Sequence, residues 1–234
     1  MLREERLKII LDYVNSNGFC SNEDISKALG IPFSTLRRDL NDLQSEYKLK
    51  RVHGGAQSIV EKSILEESIT SKLESNVEAK IIIAKKALNC IKPGETIFLD
   101  AGSSTYHLAK LIKPELRIRV YTNSIINAQT LANNGINEVY ILPGKFKPTT
   151  NAICGVETIA AIKKYYFDVS FIGINAIDNE YNFYTTDDDE AEVKKLVIEN
   201  SQFSFGLADK SKMKSKSFIK FSDKRKIALI NEEV

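Results

Sequence analysis

The sequence predicts a chain in two parts: a small, mainly helical N-terminal unit that ends in a short wing, and a larger C-terminal α/β unit on a mostly parallel sheet. Two observations predict this. Residues 3–45 carry three apolar runs at helical spacing, separated by glycine and proline. From residue 95 onward, short apolar runs of strand length alternate with helix-forming segments, as strands joined by crossover helices do.

Each element follows from its own residues. In "REERLKIILDYVNS", Leu7, Ile10, Leu11 and Val14 recur at helical spacing, and Asn17-Gly18 ends the run. "SNEDISKALG" sets Ser21 three residues before Asp24, puts Ile25, Ala28 and Leu29 on one face and stops at Gly30, a short second helix. After Ile31-Pro32, "FSTLRRDLNDLQSEY" buries Leu36, Leu40 and Leu43, which turns Ser34, Thr35, Arg37, Arg38 and Asn41 outward. "YKLKRVHGG" alternates Tyr47, Leu49 and Arg51 against Lys48, Lys50 and Val52, and the glycine pair closes this strand or wing. Residues 1–56 are read as one domain and 57–76, helix formers of mixed charge, as a helical linker. Residues 77–234 form the second domain, with strands at "ETIFLD", "RIRVYT", "NEVYIL", "FDVSFIGI", "FSFGLA" and "KIALI" and helices starting near 104, 124, 156 and 189.

Composition is ordinary for a globular chain of 234 residues: 43% hydrophobic, 27% charged, net charge +2. Residues 1–60 hold nine Lys or Arg against eight Asp or Glu, so any affinity for nucleic acid must come from where the charges sit. The longest apolar runs, such as "IIIA" at 81–84, are far short of the ~20 residues of a membrane span, and "MLREERLK" has no apolar signal core. The expectation is a cytoplasmic protein without a membrane partner. Cys20, Cys90 and Cys154 offer neither a disulfide framework nor a zinc pattern, and no metal site is expected.

Two helices joined by a short turn, the second with an outward arginine pair near its start, have the form of a winged helix-turn-helix. Arg37 and Arg38 suit guanine edges or phosphates, because a guanidinium donates two parallel hydrogen bonds. Ser34, Thr35 and Asn41 share their face, and Lys48, Lys50, Arg51 and His53 would meet the sugar-phosphate backbone.

In "TIFLDAGSSTYHL" a strand ends at Asp100, Gly102 permits a tight turn, and Ser103, Ser104 and Thr105 open a helix. A helix N-terminus carries free N–H donors and a positive dipole end, so a phosphate fits there. Thr122, Asn123 and Ser124 follow the next strand, and Asp209 and Lys212 follow a later one; Lys145 and Lys147 lie on a rim loop. Open parallel sheets bind ligands at these strand ends.

"STLRRDLNDLQSEYKLKRVHGGA" resembles the N-terminal signature of the DeoR family of bacterial repressors of sugar metabolism, with its T-x-R-R-D-L helix and R-x-H-G-G wing. "LDAGSST", "TNS" at 122–124, "DVSFIG" and "ADKSK" extend the resemblance along the chain. Pro32 and Pro143-Gly144-Lys145 depart from the usual family residues. The resemblance implies that Lys72, Lys80, Asp209 and Lys212 match effector-response positions, that the effector is a sugar phosphate with no further cofactor, and that a homo-oligomer, dimer or tetramer, binds double-stranded operator DNA. Lys72 and Lys80 would report occupancy to the DNA-binding heads.

The second domain is similar, more distantly, to the ribose-5-phosphate isomerase and CoA-transferase superfamily. An isomerase needs a positioned carboxylate base. Where those enzymes carry an acidic loop this chain reads "INAIDNE", with Asn175, Ala176 and Ile177 in place of acids and Asp178 and Glu180 only later. The expected function is therefore a transcriptional regulator, a repressor released by a sugar phosphate, and no enzyme. A phosphosugar isomerase with an accessory DNA-binding domain is the alternative, and an activator would share every residue assignment.

Overall fold

The computed structural model describes residues 2–46, 48–52, 54–58 and 68–233, with Ser16 described by its backbone alone. Tyr47, His53 and residues 59–67 of the expected linker lie outside the described residues. The chain divides into two compact units, Met1–Leu65 and Glu66–Val234.

The first unit runs α1 (Arg3–Asn17), β1 (Phe19–Ser21), α2 (Asn22–Leu29), α3 (Phe33–Ser45), β2 (Leu49–Val52) and β3 (Gly55–Ser58). Gly18 closes α1 at φ 77°, its N–H donating to the Val14 carbonyl at 2.8 Å. Ser21 caps α2 by accepting from the Asp24 N–H at 3.0 Å, and Gly30 ends it in the left-handed region. Pro32 stands at the N-cap of α3 with ψ 143°, outside the helix, and without a side-chain hydrogen bond. Ile10, Val14, Ile25, Ile31, Leu36, Leu40, Leu43 and Leu49 make the core, while Ala28, expected on the apolar face of α2, is exposed.

The wing is larger than its sequence suggests. β3 pairs antiparallel with β2 and with the three-residue β1, giving the order β1-β3-β2. This is why the glycine pair is needed. Gly54 turns at φ 81°, and a Cβ on Gly55 would stand 2.2 Å from the Cys20 carbonyl oxygen of β1.

In the second unit come α4 (Ile69–Glu74), α5 (Val77–Leu88), β4 (Thr96–Leu99), α6 (Ser103–Leu111), β5 (Arg119–Thr122), α7 (Ile125–Asn133), β6 (Val139–Ile141), β7 (Lys145–Lys147) and β8 (Ala152–Cys154). They are followed by α8 (Val156–Ile162), β9 (Phe167–Gly173), β10 (Ala176–Ile177), β11 (Asn182–Thr185), α9 (Asp188–Glu199), β12 (Ser201–Leu207), β13 (Ile219–Asp223) and β14 (Ala228–Ile230). The six strands expected from the alternation form one sheet, β14-β12-β9-β4-β5-β6, parallel at every pairing. β10, β11 and β13 form a small antiparallel sheet and β7-β8 a hairpin where the sequence shows only a rim loop.

Alternation along β4 covers both faces of the sheet. Ile97 and Leu99 pack with Ile83 and Ala87 of α5 and Leu108 of α6, whereas Phe98 packs with Ile162 of α8 and Val193 and Val197 of α9. Counting strands along the chain, the spatial order reverses between β4 and β9, the switch point at which open sheets form a crevice. Residues 69–76, read as linker, belong to this unit: Ile69 is buried and its N–H donates to the Thr149 carbonyl at 2.8 Å.

Candidate functional site

In the first unit, Leu36, Asp39, Leu40 and Leu43 bury one side of α3. Ser34, Arg37, Arg38 and Asn41 are exposed and Thr35 is half-buried. Arg37 and Arg38 make no ion pair among the described residues, so the face offers two uncommitted guanidinium groups. Sequence periodicity missed what fixes that face. Asp39, adjacent to the pair, is buried and accepts from Arg6 Nε at 2.6 Å and Nη2 at 3.1 Å, and Asp42 accepts from Arg3 at 2.7 Å. The hydrogen bond to Asp39 holds the Arg6 guanidinium above its ordinary pKa, and α3 is thereby bolted to α1.

The wing residues divide. Lys50 is exposed, and Lys48 is exposed but pairs with Glu46 at 2.7 Å. Arg51, expected at the backbone of DNA, is half-buried; its Nη1 donates to Asn41 Oδ1 at 2.6 Å and its N–H to Gln44 Oε1 at 2.8 Å. Arg51 therefore ties the wing to α3.

In the second unit, a cleft with about 560 Å3 of empty space, part of it open to solvent, lies at the switch point. Its floor is made by the ends of β4, β9 and β12 at Ala101–Gly102, Gly173–Asn175 and Leu207–Asp209. Of the expected effector residues it brings together Lys72, Lys80, Gly102, Ser103, Ser104, Asp209 and Lys212. The hydroxyls of Ser103 and Ser104 have no partner among the described residues, and the first N–H groups of α6 lie beyond the reach of its own carbonyls. Lys212 is half-buried, and its ammonium has no partner among the described residues. Lys80 is 2% exposed; its ammonium donates to the carbonyls of Lys72 and Ser75, closing the end of α4. Asp209 caps a 3-10 turn through Ser211 N–H at 3.0 Å and accepts from Asn76 Nδ2 at 3.2 Å.

Other expected residues do not line the cleft. Thr105 and Thr122 spend their hydroxyls on backbone, at the Asp100 and Leu99 carbonyls, 2.6 Å each. Asn123 accepts from the Ala101 N–H at 2.9 Å, which fixes the turn before α6, and Ser124 caps α7. Lys145 is exposed on β7. Asp100 is buried beneath the cleft, where it pairs with Lys194 and accepts from the Gly173 N–H at 2.9 Å.

Lys194, Glu190 and Thr150 line the cleft without having been expected there. Burial disfavours the charge on Lys194, but Asp100 and Glu190 outweigh it and hold the ammonium above its ordinary pKa. Burial, with Glu190 nearby, pushes the Asp100 carboxyl up. The Asp run before α9 serves as a cap: Asp187 accepts from the Glu190 N–H at 3.1 Å and pairs with Lys147 at 2.8 Å. Among the described residues no group of three His, Cys, Asp or Glu could hold a metal ion, and no helix is long and apolar enough to cross a membrane.

Asp178 stands apart from the cleft lining. It accepts from Asn182 Nδ2 and N–H, Tyr184 hydroxyl and Glu180 N–H, all at 2.9–3.0 Å, and these bonds, led by the Asn182 side chain, hold its pKa well below the carboxylate range.

Comparison with known proteins covers both units. Residues 6–62 match the DeoR-like helix-turn-helix domain and residues 75–233 the DeoR C terminal sensor domain. The chain is 35% identical over 222 residues to the HTH-type transcriptional regulator FruR of Bacillus subtilis, covering 95% of this chain and 88% of the relative. It is 33% identical over 214 residues to the lactose phosphotransferase system repressor of Lactococcus lactis, covering 91% and 84%. The solved tetrameric eIF2B-beta2-delta2 complex from C. thermophilum is similar in fold, with a TM-score of 0.51 at 14% identity over 70% of this chain and 57% of that one. Ribose 5-phosphate isomerase A from Methanocaldococcus jannaschii aligns with a TM-score of 0.44 at 18% identity, over 59% and 55%.

Proposed function

Because the chain belongs to the DeoR family, we propose that it is a DNA-binding regulator of transcription, a repressor whose hold on its operator is loosened by a phosphorylated sugar. The observation that carries the reading is the cleft at the switch point, where the first N–H groups of α6 and the Lys212 ammonium, unpartnered among the described residues, meet buried acceptors. Donors and cations suit a phosphate; acceptors such as Asp209 suit sugar hydroxyls. Lys72, Lys80, Gly102, Ser103, Ser104, Asp209 and Lys212 form this effector site. Ser34, Thr35, Arg37, Arg38 and Asn41 read the major groove, and Lys48 and Lys50 contact its phosphates. Two recognition helices act together in a homo-oligomer, which two-fold symmetric operators require.

Regulation demands that the effector prefer one arrangement of the heads, since equal affinity for both shifts nothing. Operator binding measured with and without a panel of sugar phosphates tests the reading. One panel member releases the DNA from the wild type, and Asp209→Ala and Lys212→Ala still bind operator but lose the release. Release intact in both variants would displace the site, and operator affinity indifferent to every panel member would end the proposal. Reporter expression with the operator in place distinguishes repressor from activator.

The isomerase alternative needs a base beside the reacting carbon. Asp178, the carboxylate the sequence offers, is locked ionised in a turn and lies off the cleft. No interconversion of ribose 5-phosphate and ribulose 5-phosphate is expected from the purified chain; turnover abolished by Glu190→Gln would make it an enzyme.

A further inference from the structure

α9 turns two ionisable side chains, Glu190 and Lys194, into the cleft one helical turn apart. Glu190 is 6% exposed and its Oε1 is occupied, accepting from Thr150 Oγ1 at 2.7 Å and Lys147 Nζ at 3.3 Å. Its Oε2 has no hydrogen-bond partner among the described residues. Lys194 carries three N–H donors. Two end on Asp100 Oδ2 and on the Gly173 carbonyl at 3.1 Å, and the third has no acceptor among the described residues. Both groups are held in place from behind. Thr150 follows Thr149, whose carbonyl is tied to Ile69, and Asp100 is itself fixed by the Gly173 N–H.

An open carboxylate oxygen in a sheltered cleft wants a donor, and an ammonium with a spare proton wants an acceptor. A phosphate brings few donors and a net negative charge, and would be repelled by Glu190 where water screens poorly. A carbon chain bearing hydroxyl and carbonyl oxygens supplies both. We propose that Glu190 and Lys194 are the specificity-determining end of the cleft: Glu190 Oε2 accepts from one hydroxyl of the effector and Lys194 donates to an adjacent oxygen, so the site selects phosphorylated polyhydroxy compounds over phosphate itself. The ligand is thereby oriented with its phosphate at the N-terminus of α6 and its hydroxyls at α9. Thr150 acts as a positioning residue, aiming the carboxylate. This rests on the cleft being the sugar-phosphate site.

The test is calorimetric titration of the full chain with inorganic phosphate and with fructose 1-phosphate, fructose 6-phosphate, glucose 6-phosphate and ribose 5-phosphate, for the wild type, Glu190→Gln and Thr150→Val. Loss of a charged hydrogen bond predicts that Glu190→Gln weakens the tightest sugar phosphate by about 10- to 100-fold while inorganic phosphate keeps or gains affinity. Thr150→Val shifts the sugar phosphate in the same direction by less, with unliganded melting temperatures confirming that both variants fold. Phosphate and sugar phosphate weakening together in both variants, or the sugar phosphate holding its affinity in both, overturns the specificity role. A wild type that binds no member of the panel overturns the sugar-phosphate reading first, and this proposal with it.

Discussion

Helices α3 and α9 both carry charges of either sign and use them in opposite ways. On α3 the two arginines face water and the one buried charge, Asp39, is closed off by Arg6. On α9 both Glu190 and Lys194 are buried, because the helix is covered on two sides: Ala191, Val193 and Val197 pack into the core while Glu190 and Lys194 meet Asp100 and Thr150. A helix on a rim can lose a surface charge with little structural effect. A helix between two layers cannot, since removing one member leaves its partner in low dielectric with nothing to answer it.

The largest effect expected from this contrast is on stability. Lys194→Met strands the buried Asp100 carboxylate and costs about 3–5 kcal/mol, read from urea unfolding of the full chain, whereas Arg37→Ala stays within about 0.5 kcal/mol of the wild type. An unfolding midpoint for Lys194→Met equal to the wild type would remove the distinction. The second effect is on DNA. Arg37→Ala or Arg38→Ala lowers specific operator affinity by about 1–3 kcal/mol in a gel-shift titration and leaves the response of the melting temperature to sugar phosphate intact.

A smaller effect separates two wing cations. Lys50→Ala reduces the salt slope of DNA binding by about one, because a phosphate contact is lost, while Arg51→Ala weakens binding with the slope unchanged, because that guanidinium is committed to Asn41. The smallest is a pH dependence. Burial, then Lys110 and Lys80, lower the pKa of His107, whose Nε2 has no hydrogen-bond partner among the described residues. A lowered value means the unfolded state takes up the proton first. The contribution is present above the unfolded pKa of about 6.5 and is lost as pH falls through the lowered one, so thermal stability drops below about pH 6.5 and His107→Gln flattens that limb.

Periodicity made the three helices and six parallel strands readable, because each buries an apolar stripe or run long enough to repeat. It failed on elements whose existence depends on a distant partner. β1 is three residues between two helices and is a strand only because β3 lies beside it. α4, with a single buried isoleucine, reads as linker until Thr149 and Lys80 are seen to hold it. Within the cleft, Gly102, Ser103 and Ser104 were legible as a strand-to-helix turn, and Thr105 and Thr122 misled because a hydroxyl beside a phosphate and one bound to a carbonyl look alike in sequence. Glu190 and Lys194 escaped because polar residues on a helix are assigned outward by default. Their one signal was the i, i+4 spacing beside Val193 and Val197, off the polar stripe of Asp188, Glu192, Lys195 and Glu199.

The parallel sheet also sets an order of events during synthesis. The pairings of the first unit all lie within 58 residues, whereas the sheet of the second is closed only when residues 228–230 arrive beside β12. At about 5–20 residues per second the ribosome needs on the order of ten seconds or more to supply that last strand. A nascent chain thus exposes a finished operator-gripping head while its metabolite detector is still half made, and only slow, long-range assembly brings that head under control.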